Sequence, residues 1–413
     1  MAETGVVITG MGCVSPHGRG VEALWSGLLA GRSAFTPLLS LFDASMFRNP
    51  LGGVVAGYDK SADASAPCRA LRMLRDAADE AMRDALGLAE SASHAEIAAR
   101  VAADEDMKHA AIVTGTNFGG MSAAETALVD GRTDISKASL NGYLYGAAGT
   151  QLAARYGLSG PRLSLSLSCA SGTAAIGLAC DMIRRGRADV ALACGYDELS
   201  LYVYAGLSAL RAITPETIRP FDQRRKGTLF SEGAGVMVLE SAEHAAGRKA
   251  PKIYARVPGR AMNNDAYHMT APEQEARGIQ ALMRAALADA QIDSGAIDHL
   301  NLHATGTPYN DAIETKAAHA VFGSRGATIP VCSVKSSIGH CMGAAGIIEA
   351  TAAVLTLRDG KIPPVLGLDP KEKDPACDLN TPTGAPLEGK FNTILKTSYG
   401  FGGTNAAVVL SKI

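Results

Sequence analysis

Apolar residues recur along the chain with two spacings, and these predict strands that alternate with helices. The apolar run at 6–9 is typical of a buried strand. Residues 68–87 place apolar side chains three and four positions apart, the spacing of an amphipathic helix. In the same way the first half of the chain predicts helices at 20–30 and 170–183, and strands at 110–115, 163–167, 190–194 and 236–240.

After residue 252 a similar succession begins again. Strands alternating with helices predict an α/β fold with largely parallel, buried sheets. In each half a strand runs into a reactive residue that heads a Gly- and Ala-rich helix, Cys169 in the first half and His340 in the second. This repeat indicates duplication, with residues 1–251 and 252–413 as the two halves. The second half predicts helices at 274–290, 311–322 and 340–358 and strands at 299–302, 330–334 and 406–410.

Composition and charge narrow the class of function. Lys and Arg number 39 and Asp and Glu 41 in 413 residues, and this near-neutral balance argues against a nucleic-acid partner. Eight cysteines, none with C-x-x-C spacing, are typical of reduced thiols in a cytoplasmic protein. The first residues show no signal-peptide pattern. The most apolar stretch, 341–357, is too short to span a bilayer, so no membrane association is expected.

Cys169 is the first candidate catalytic residue. It lies at a predicted strand-to-helix junction, where unpaired N–H groups and the helix dipole favour the thiolate and lower the thiol pKa. The small residues at 170–172 leave room for a substrate carbonyl. The alternative is a buried structural cysteine, the commoner fate of a free cysteine, and we interpret the other seven cysteines in that way.

The segment 303–308 is a second candidate for the site. His303 follows a short strand, and strand ends that feed Gly- and Thr-rich loops are common active-site positions in α/β proteins. The hydroxyls of Thr305 and Thr307 suit an extended polar chain. The alternative for His303 is a loop histidine bonded to the backbone.

His340 and a glycine-rich loop complete the set of candidates. A histidine at a helix N-terminus near Lys335 is favoured as the neutral imidazole, which can donate a hydrogen bond to a developing oxyanion. A solvated loop lysine is the alternative for Lys335. The loop 400–405 can offer backbone N–H groups, with Phe401 as a mobile gate. One cysteine and two histidines in separate loops fit thioester chemistry.

Eight ordered segments form a pattern more specific than any one motif. They are VITGMG (7–12), SCASG (168–172), RPFD (219–222), SEGAG (231–235), DAYHMT (265–270), HATGTP (303–308), KSSIGH with GAAG (335–340 and 343–346) and GFGGTN (400–405). With them the chain resembles, over nearly its whole length, the β-ketoacyl-acyl carrier protein synthases of the thiolase superfamily. The 265–270 segment favours the discrete elongating, KAS II-like type.

The resemblance implies a fold and an assembly. The fold is a duplicated thiolase fold of five α-β-α-β-α layers with mixed, mainly parallel sheets. The first half carries the nucleophilic cysteine and the second half the two catalytic histidines. A homodimer is expected, and a heterodimer with a second ketosynthase-like chain is the alternative.

The resemblance also implies a decarboxylative Claisen condensation. Cys169 takes an acyl chain from an acyl carrier protein, and malonyl carrier protein then loses carbon dioxide to give an enolate that attacks it. His303 and His340 would assist decarboxylation, and Lys335 would orient them. The backbone N–H groups of Cys169 and Phe401 would form the oxyanion hole.

Substrate and carrier contacts follow from the same resemblance. Thr305 and Thr307 would hold the phosphopantetheine arm, which the carrier brings, so no resident cofactor and no catalytic metal are expected. Carrier proteins are acidic, and four arginines would form the docking patch: Arg211, Arg69, Arg72 and Arg75. A solvated charged face is the alternative for the last three.

Several positions depart from the family pattern. Phe118 and Phe230 bring bulk to the acyl pocket beside the Phe401 gate, and Ala304 replaces the usual glycine after the first histidine. The acyl substrate therefore stays open between fatty-acid and specialised polyketide or polyene synthesis.

Two alternatives to this function remain. The first is a coenzyme A-dependent thiolase, which would use a second cysteine as base. The second is a non-catalytic or weakly catalytic partner of the chain-length-factor type in a heterodimer, which usually lacks the nucleophile. Glu349, Asn301 and Asn405 suit either a structural cation or a buried hydrogen-bond network.

Overall fold

The computed structural model describes residues 5–58, 68–129 and 142–413. The strands are β1 Val6–Ser15, β2 Gly18–Arg19, β3 Thr36–Pro37, β4 Leu51–Gly52, β5 Ala111–Gly115, β6 Arg162–Leu165, β7 Val190–Asp197, β8 Gly233–Ser241, β9 Ala255–Asn264, β10 His299–Asn301, β11 Val331–Cys332, β12 Lys361–Ile362, β13 Leu387–Glu388, β14 Thr393–Gly400 and β15 Thr404–Ser411. The helices are α1 Val21–Leu29, α2 Arg69–Leu86, α3 His94–Ala102, α4 Glu105–Lys108, α5 Met121–Val129, α6 Ala147–Tyr156, α7 Ser171–Arg184, α8 Leu201–Ala209, α9 Ala242–Gly247, α10 Arg277–Asp289, α11 Asn310–Phe322, α12 Lys335–Ile338 and α13 Ala345–Asp359.

The strand order shows the duplication. The first half orders its strands β6-β5-β7-β8-β1, and the second half orders them β11-β10-β14-β15-β9. Numbered within each half, both orders read 3-2-4-5-1. In both, the first two pairs are parallel and the next two antiparallel. The two sheets meet edge to edge where β1 pairs with β9 at Val7–Arg256 and Ile8–Ala255.

Two buried helices fill the middle layer. The helices α7 and α13 each follow the third strand of their half, and they pack against each other between the two sheets. Every residue of α13 from Ala345 to Leu357 is buried, which explains why all of its side chains in this stretch except that of Glu349 are apolar or small. The helix α2 covers the outer face of the first sheet, and α10, with α11 packed on it, covers the second. This arrangement gives the five predicted layers.

The structure differs from the sequence-based predictions in three elements. The sheets are mixed, as predicted, but antiparallel pairs form their centre, so the expectation of mainly parallel pairing was wrong. β1 extends beyond the predicted range of 6–9 and runs on through Gly10 and Gly12 to Ser15. A Cβ at Gly12 would lie 1.9 Å from the Ala77 carbonyl oxygen, so these glycines let α2 pack closely on the strand. The segment 244–248 (His-Ala-Ala-Gly-Arg), whose sequence predicts a turn, belongs largely to α9.

The predicted boundary at 251/252 falls between α9 and β9. The division of the chain into two domains at this boundary stays a prediction. Within the described ranges, none of the helices has both the length and the apolar character needed to span a bilayer.

Candidate active site

Cys169 lies on the tight turn that joins β6 to α7. Ser168 has a φ of 49°, in the left-handed region, and α7 begins at Ser171. The Ser171 hydroxyl donates to the Ser168 carbonyl oxygen at 2.6 Å and accepts the Leu167 N–H at 2.8 Å. These two bonds fix the turn, so Cys169 is held just before the helix N-terminus, as predicted.

The state of the thiol differs from the prediction. Cys169 is only 9% exposed, and this burial raises the pKa of its thiol to about 12. The nearby charge of Lys335 acts in the opposite direction but is outweighed. Burial removes water that would solvate a thiolate, so the expectation of a low pKa was wrong, and the resting side chain is a thiol.

The raised pKa predicts how Cys169 reacts with iodoacetamide. Only the thiolate attacks the reagent, and far below its pKa the thiolate fraction rises about tenfold per pH unit. We expect the alkylation rate of Cys169, followed by peptide mass spectrometry, to climb steadily from about pH 7 to about pH 9.5. A rate that levels off near pH 8 would show a low pKa and contradict this result.

The fold brings both predicted histidines to Cys169. Its Sγ and one ring nitrogen each of His303 and His340 all lie within 4.8 Å of one another. The two imidazole rings are 5.3 Å apart, centre to centre, at an angle of 84°. The three side chains come from opposite halves of the molecule, so the site exists only in the folded chain.

His340 presents a hydrogen-bond donor that no described residue satisfies. Its Nδ1 accepts the Met342 N–H at 3.1 Å, which places the ring proton on Nε2. That Nε2 is buried and meets no hydrogen-bond partner among the described residues. Burial, together with the charges of Lys335 and Lys396, holds the pKa of His340 well below its usual range. The ring is therefore neutral and offers Nε2–H to the site.

The predicted reason for a neutral His340 was partly wrong. The residue does not head a long helix, since it follows α12, and a 3-10 turn at Met342–Ala344 precedes α13. Burial, rather than a helix N-terminus, is the main cause of its neutrality.

His303 is oriented by a buried lysine. Lys335 donates to His303 Nδ1 at 3.2 Å and to the His303 carbonyl oxygen at 2.7 Å. An ammonium group only donates, so the ring proton of His303 also sits on Nε2. Burial first, and Lys335 second, hold the pKa of His303 well below its usual range. Lys335 is fully buried, so the alternative of a solvated lysine was wrong.

A buried ion cluster supports Lys335. Lys335 and Lys396 both pair with the carboxylate of Glu349, one on each oxygen. The carboxylate proposed as a cation ligand is thus already matched by two ammonium groups. The side-chain amide of Asn405 is bonded elsewhere, to Asn263 and Asp265. The structure therefore favours the hydrogen-bond network over a structural cation at these residues.

A metal ion also fits the central site poorly. The Cys169, His303 and His340 atoms are close enough to share an ion. However, each imidazole keeps its proton on Nε2, because Nδ1 is engaged by Met342 or by Lys335. The two imidazoles therefore present N–H donors rather than lone pairs to the site.

A cavity of about 360 Å³ connects these side chains to the surface. Its inner wall includes Cys169, both histidines, Phe230 and Phe401. Thr305 and Thr307 line its passage, with their hydroxyl oxygens 2.9 Å apart. An open channel of this kind is what a thioester on a long flexible arm needs to reach the sulfur.

Of the two phenylalanines expected at the acyl pocket, Phe230 lines the cavity and Phe118 does not. Phe230 is buried, and its ring stacks on His340 with centres 5.6 Å apart. Phe118 does not line the cavity. It packs, half-buried, against an apolar cluster that also contains Phe230, Leu199, Tyr204 and Met342. The space behind His340 is therefore filled by side chains in this structure.

The predicted docking arginines divide into three cases. Arg69 is buried and pairs with Glu232, so its assignment to a docking surface was wrong. Arg72 and Arg75 are half-buried, and their docking role stays a prediction. Arg211 is exposed at the cavity mouth, beside Lys226.

Three buried residues at the site were missed by the sequence analysis. Glu314 accepts the N–H groups of His303 and Ala304, each at 2.8 Å. Asp197 accepts the N–H groups of the loop at 117–118 and of Gly343. Lys396 is the third. For Lys396, the available signal was a charged residue directly after the apolar pair Ile394 and Leu395.

Ala304, which replaces the glycine usual in the family, adopts a backbone conformation that favours glycine. Its φ is 33°, in the left-handed region that favours glycine. The Glu314 carboxylate and the Ser333 hydroxyl bond its N–H and carbonyl groups and hold it there.

Comparisons with known proteins agree with this site. A family model described as "Beta-ketoacyl synthase, N-terminal domain" matches residues 3–245, and one described as "Beta-ketoacyl synthase, C-terminal domain" matches residues 254–369. The chain belongs to the β-ketoacyl synthase family. It is a β-ketoacyl-acyl carrier protein synthase, an acyltransferase that forms carbon–carbon bonds.

Three similar proteins span the whole chain. The "3-oxoacyl-[acyl-carrier-protein] synthase 2" of Coxiella burnetii is 35% identical, with 100% of both chains covered. "Nodulation protein E" of Rhizobium meliloti is 37% identical, with 99% of both covered. The solved structure "The ishigamide ketosynthase/chain length factor" has a TM-score of 0.87 at 32% identity, with 100% of both covered.

Proposed function

We propose that the chain is a catalytically active, discrete ketosynthase whose Cys169, His303 and His340 condense a Cys-bound acyl group with malonyl carrier protein. The observation that carries this proposal is the buried Nε2–H of His340, which lies beside His303 and Cys169 and has no hydrogen-bond partner in the part of the chain that the structure describes. An unsatisfied buried donor is costly, and a negatively charged oxygen that forms during reaction would satisfy it.

The first half-reaction is thioester exchange. The Cys169 sulfur attacks the acyl carbonyl, the bond to the carrier sulfur breaks, and the thiol proton leaves with the released carrier thiol. The backbone N–H groups of Cys169 and Phe401 would stabilise the tetrahedral oxyanion. Both residues line the cavity, which supports these roles.

The second half-reaction is decarboxylation followed by condensation. The malonyl thioester loses carbon dioxide, and the electron pair moves onto the thioester oxygen as an enolate. The Nε2–H groups of His303 and His340 would hold that oxygen without first losing a proton. The enolate carbon then attacks the acyl carbonyl, the bond to the Cys169 sulfur breaks, and the leaving thiolate takes a proton from solvent to return to the resting thiol.

The carrier protein would dock at the cavity mouth. Arg211 and Lys226 lie there and suit a phosphate and an acidic partner. Thr305 and Thr307 would bond the pantetheine arm inside the channel. Because the carrier brings that arm, we propose that the enzyme needs no resident cofactor and works where the carrier is found, in the cytoplasm.

The observed site favours this proposal over the two alternatives. A thiolase would need a second cysteine as base, and among the described residues Cys169 alone of the cysteines lines the cavity. A non-catalytic partner would not need a reactive sulfur at the end of an open channel.

A dimer is proposed from the sheet edge. β6 is the outermost strand of the first half and is largely exposed. Its Leu163 is exposed, as are Tyr143, Leu144 and Tyr145 near it. An open strand with apolar neighbours suits pairing with a second chain, which would be a copy of this chain or a similar partner.

The proposed function is tested by intact-protein mass spectrometry after mixing the enzyme with acyl carrier proteins of graded chain length. We expect a stable acyl adduct with at least one donor, and longer chains accepted once Phe118→Ala opens the filled cluster. No adduct with any donor would support the non-catalytic alternative, and an unchanged length profile in Phe118→Ala would place the end of the pocket elsewhere.

A further inference from the structure

Lys396 is a fully buried cation that does not touch the cavity. Its ammonium donates to Glu349 Oε2 at 2.7 Å, to Ser398 Oγ at 2.8 Å and to the Thr397 carbonyl oxygen. All three of its donors are therefore used. A carboxylate, a hydroxyl and a carbonyl oxygen are also the ligand types that hard metal cations take in proteins.

A fourth buried oxygen, on the same face of the sheet as Lys396, has no hydrogen-bond partner among the described residues. Asn301 on β10 and Lys396 on β14 are register partners in the parallel sheet, so their side chains lie on the same face. Asn301 is 1% exposed, and its Oδ1 meets no hydrogen-bond partner among the described residues. An ammonium group has only three N–H donors and binds three oxygens here, whereas a metal ion would bind more than three oxygens.

We propose that Lys396 is a positioning residue that acts as a built-in cation, so that the ammonium takes the place a monovalent metal ion would occupy among Glu349, Ser398, Thr397 and Asn301. The oxygen atoms are of the types that bind a metal ion, but the lysine ammonium already occupies the place among them. The enzyme accordingly needs no potassium or sodium ion at this place.

The ammonium acts on the catalytic histidine through one carboxylate. Lys396 binds one oxygen of Glu349, and Lys335 binds the other while it also bonds His303 Nδ1. Removing the charge of Lys396 leaves a buried carboxylate with one counter-charge, which draws Lys335 away from His303. This consequence for activity rests on the proposed function, but cation binding does not.

The test compares the native enzyme with Lys396→Met in buffers of choline chloride or potassium chloride at equal ionic strength. We expect native decarboxylation to be the same in both. Lys396→Met in choline should lose about 10- to 100-fold in kcat, with acylation of Cys169 retained, and potassium should restore most of it. The exposed Lys316→Met is the matched control and should show no ion dependence.

Two readouts need no substrate. Crystals soaked in thallium(I) acetate should show an anomalous peak beside Glu349 in Lys396→Met and none there in the native protein. Potassium should raise the melting temperature of Lys396→Met but not that of the native chain, and Ser398→Ala added to that variant should weaken this response.

The proposal is overturned if Lys396→Met is fully active in choline, if it shows no response to potassium in activity or melting temperature, or if the native protein binds thallium beside Glu349. A native enzyme that releases no carbon dioxide would instead refute the proposed function, and the thallium and melting results would still decide the cation question.

Discussion

Replacing Cys169 with alanine is expected to abolish the acyl adduct and to slow condensation by at least about 10³-fold. Among the described residues that line the channel, the sulfur of Cys169 is the only atom that can carry the acyl group as a thioester. His303 and His340 keep their Nε2–H donors in this variant, so malonyl carrier protein should still lose carbon dioxide without condensation. Intact mass and carbon dioxide release measure the two effects separately.

Cys180→Ala is the matched control for this variant. Cys180 lies on α7, the helix that follows Cys169, and is fully buried. Burial likewise raises the pKa of its thiol to about 12. It does not line the cavity, so its replacement should leave both acylation and condensation intact. An acyl adduct that persists in Cys169→Ala, or that disappears in Cys180→Ala, would assign the nucleophile to another residue.

The second large effect is expected from the histidines. His303→Ala and His340→Ala should each reduce decarboxylation of malonyl carrier protein by about 10²- to 10³-fold, the usual loss for one oxyanion donor. Acylation of Cys169 should continue in both. Because burial holds the pKa of each imidazole well below its usual range, native decarboxylation should also persist as the pH falls below 6.5.

Two further variants sharpen this prediction. His340→Gln keeps an amide N–H near the position of Nε2 and should lose less activity than His340→Ala. His299→Asn is the control, since His299 is a buried histidine on β10 outside the cavity, and asparagine can still donate to the Pro330 carbonyl. Normal carbon dioxide release by both alanine variants would remove the assigned role of the histidines.

Much of this site could be predicted from local sequence. Strand-to-helix junctions marked by small residues located Cys169, and the glycine- and threonine-rich loop located His303. Local patterns also predicted α2 and α7 to within a residue or two. These features depend on neighbours within a few positions, and short-range propensities carry that information.

What sequence analysis could not predict depends on contacts between distant elements. The pKa of Cys169 follows from burial, which a helix-terminus argument does not contain. Arg69 lies on a helix with regularly spaced arginines, yet its partner Glu232 is far along the chain. The place of Lys396 follows from the pairing of β10 with β14 and from Glu349 on α13, and neither can be read from the residues around it.

The central claim is that one sulfur and two neutral imidazoles carry out a decarboxylative condensation. Its most direct test is to mix acyl-loaded enzyme with isotopically labelled malonyl carrier protein in a single turnover and to measure three quantities together. We predict that each acyl group lost from Cys169 is matched by one carbon dioxide released and one β-ketoacyl carrier protein formed. Acyl loss with free acid and no new carbon–carbon bond, or condensation without carbon dioxide, would contradict the account.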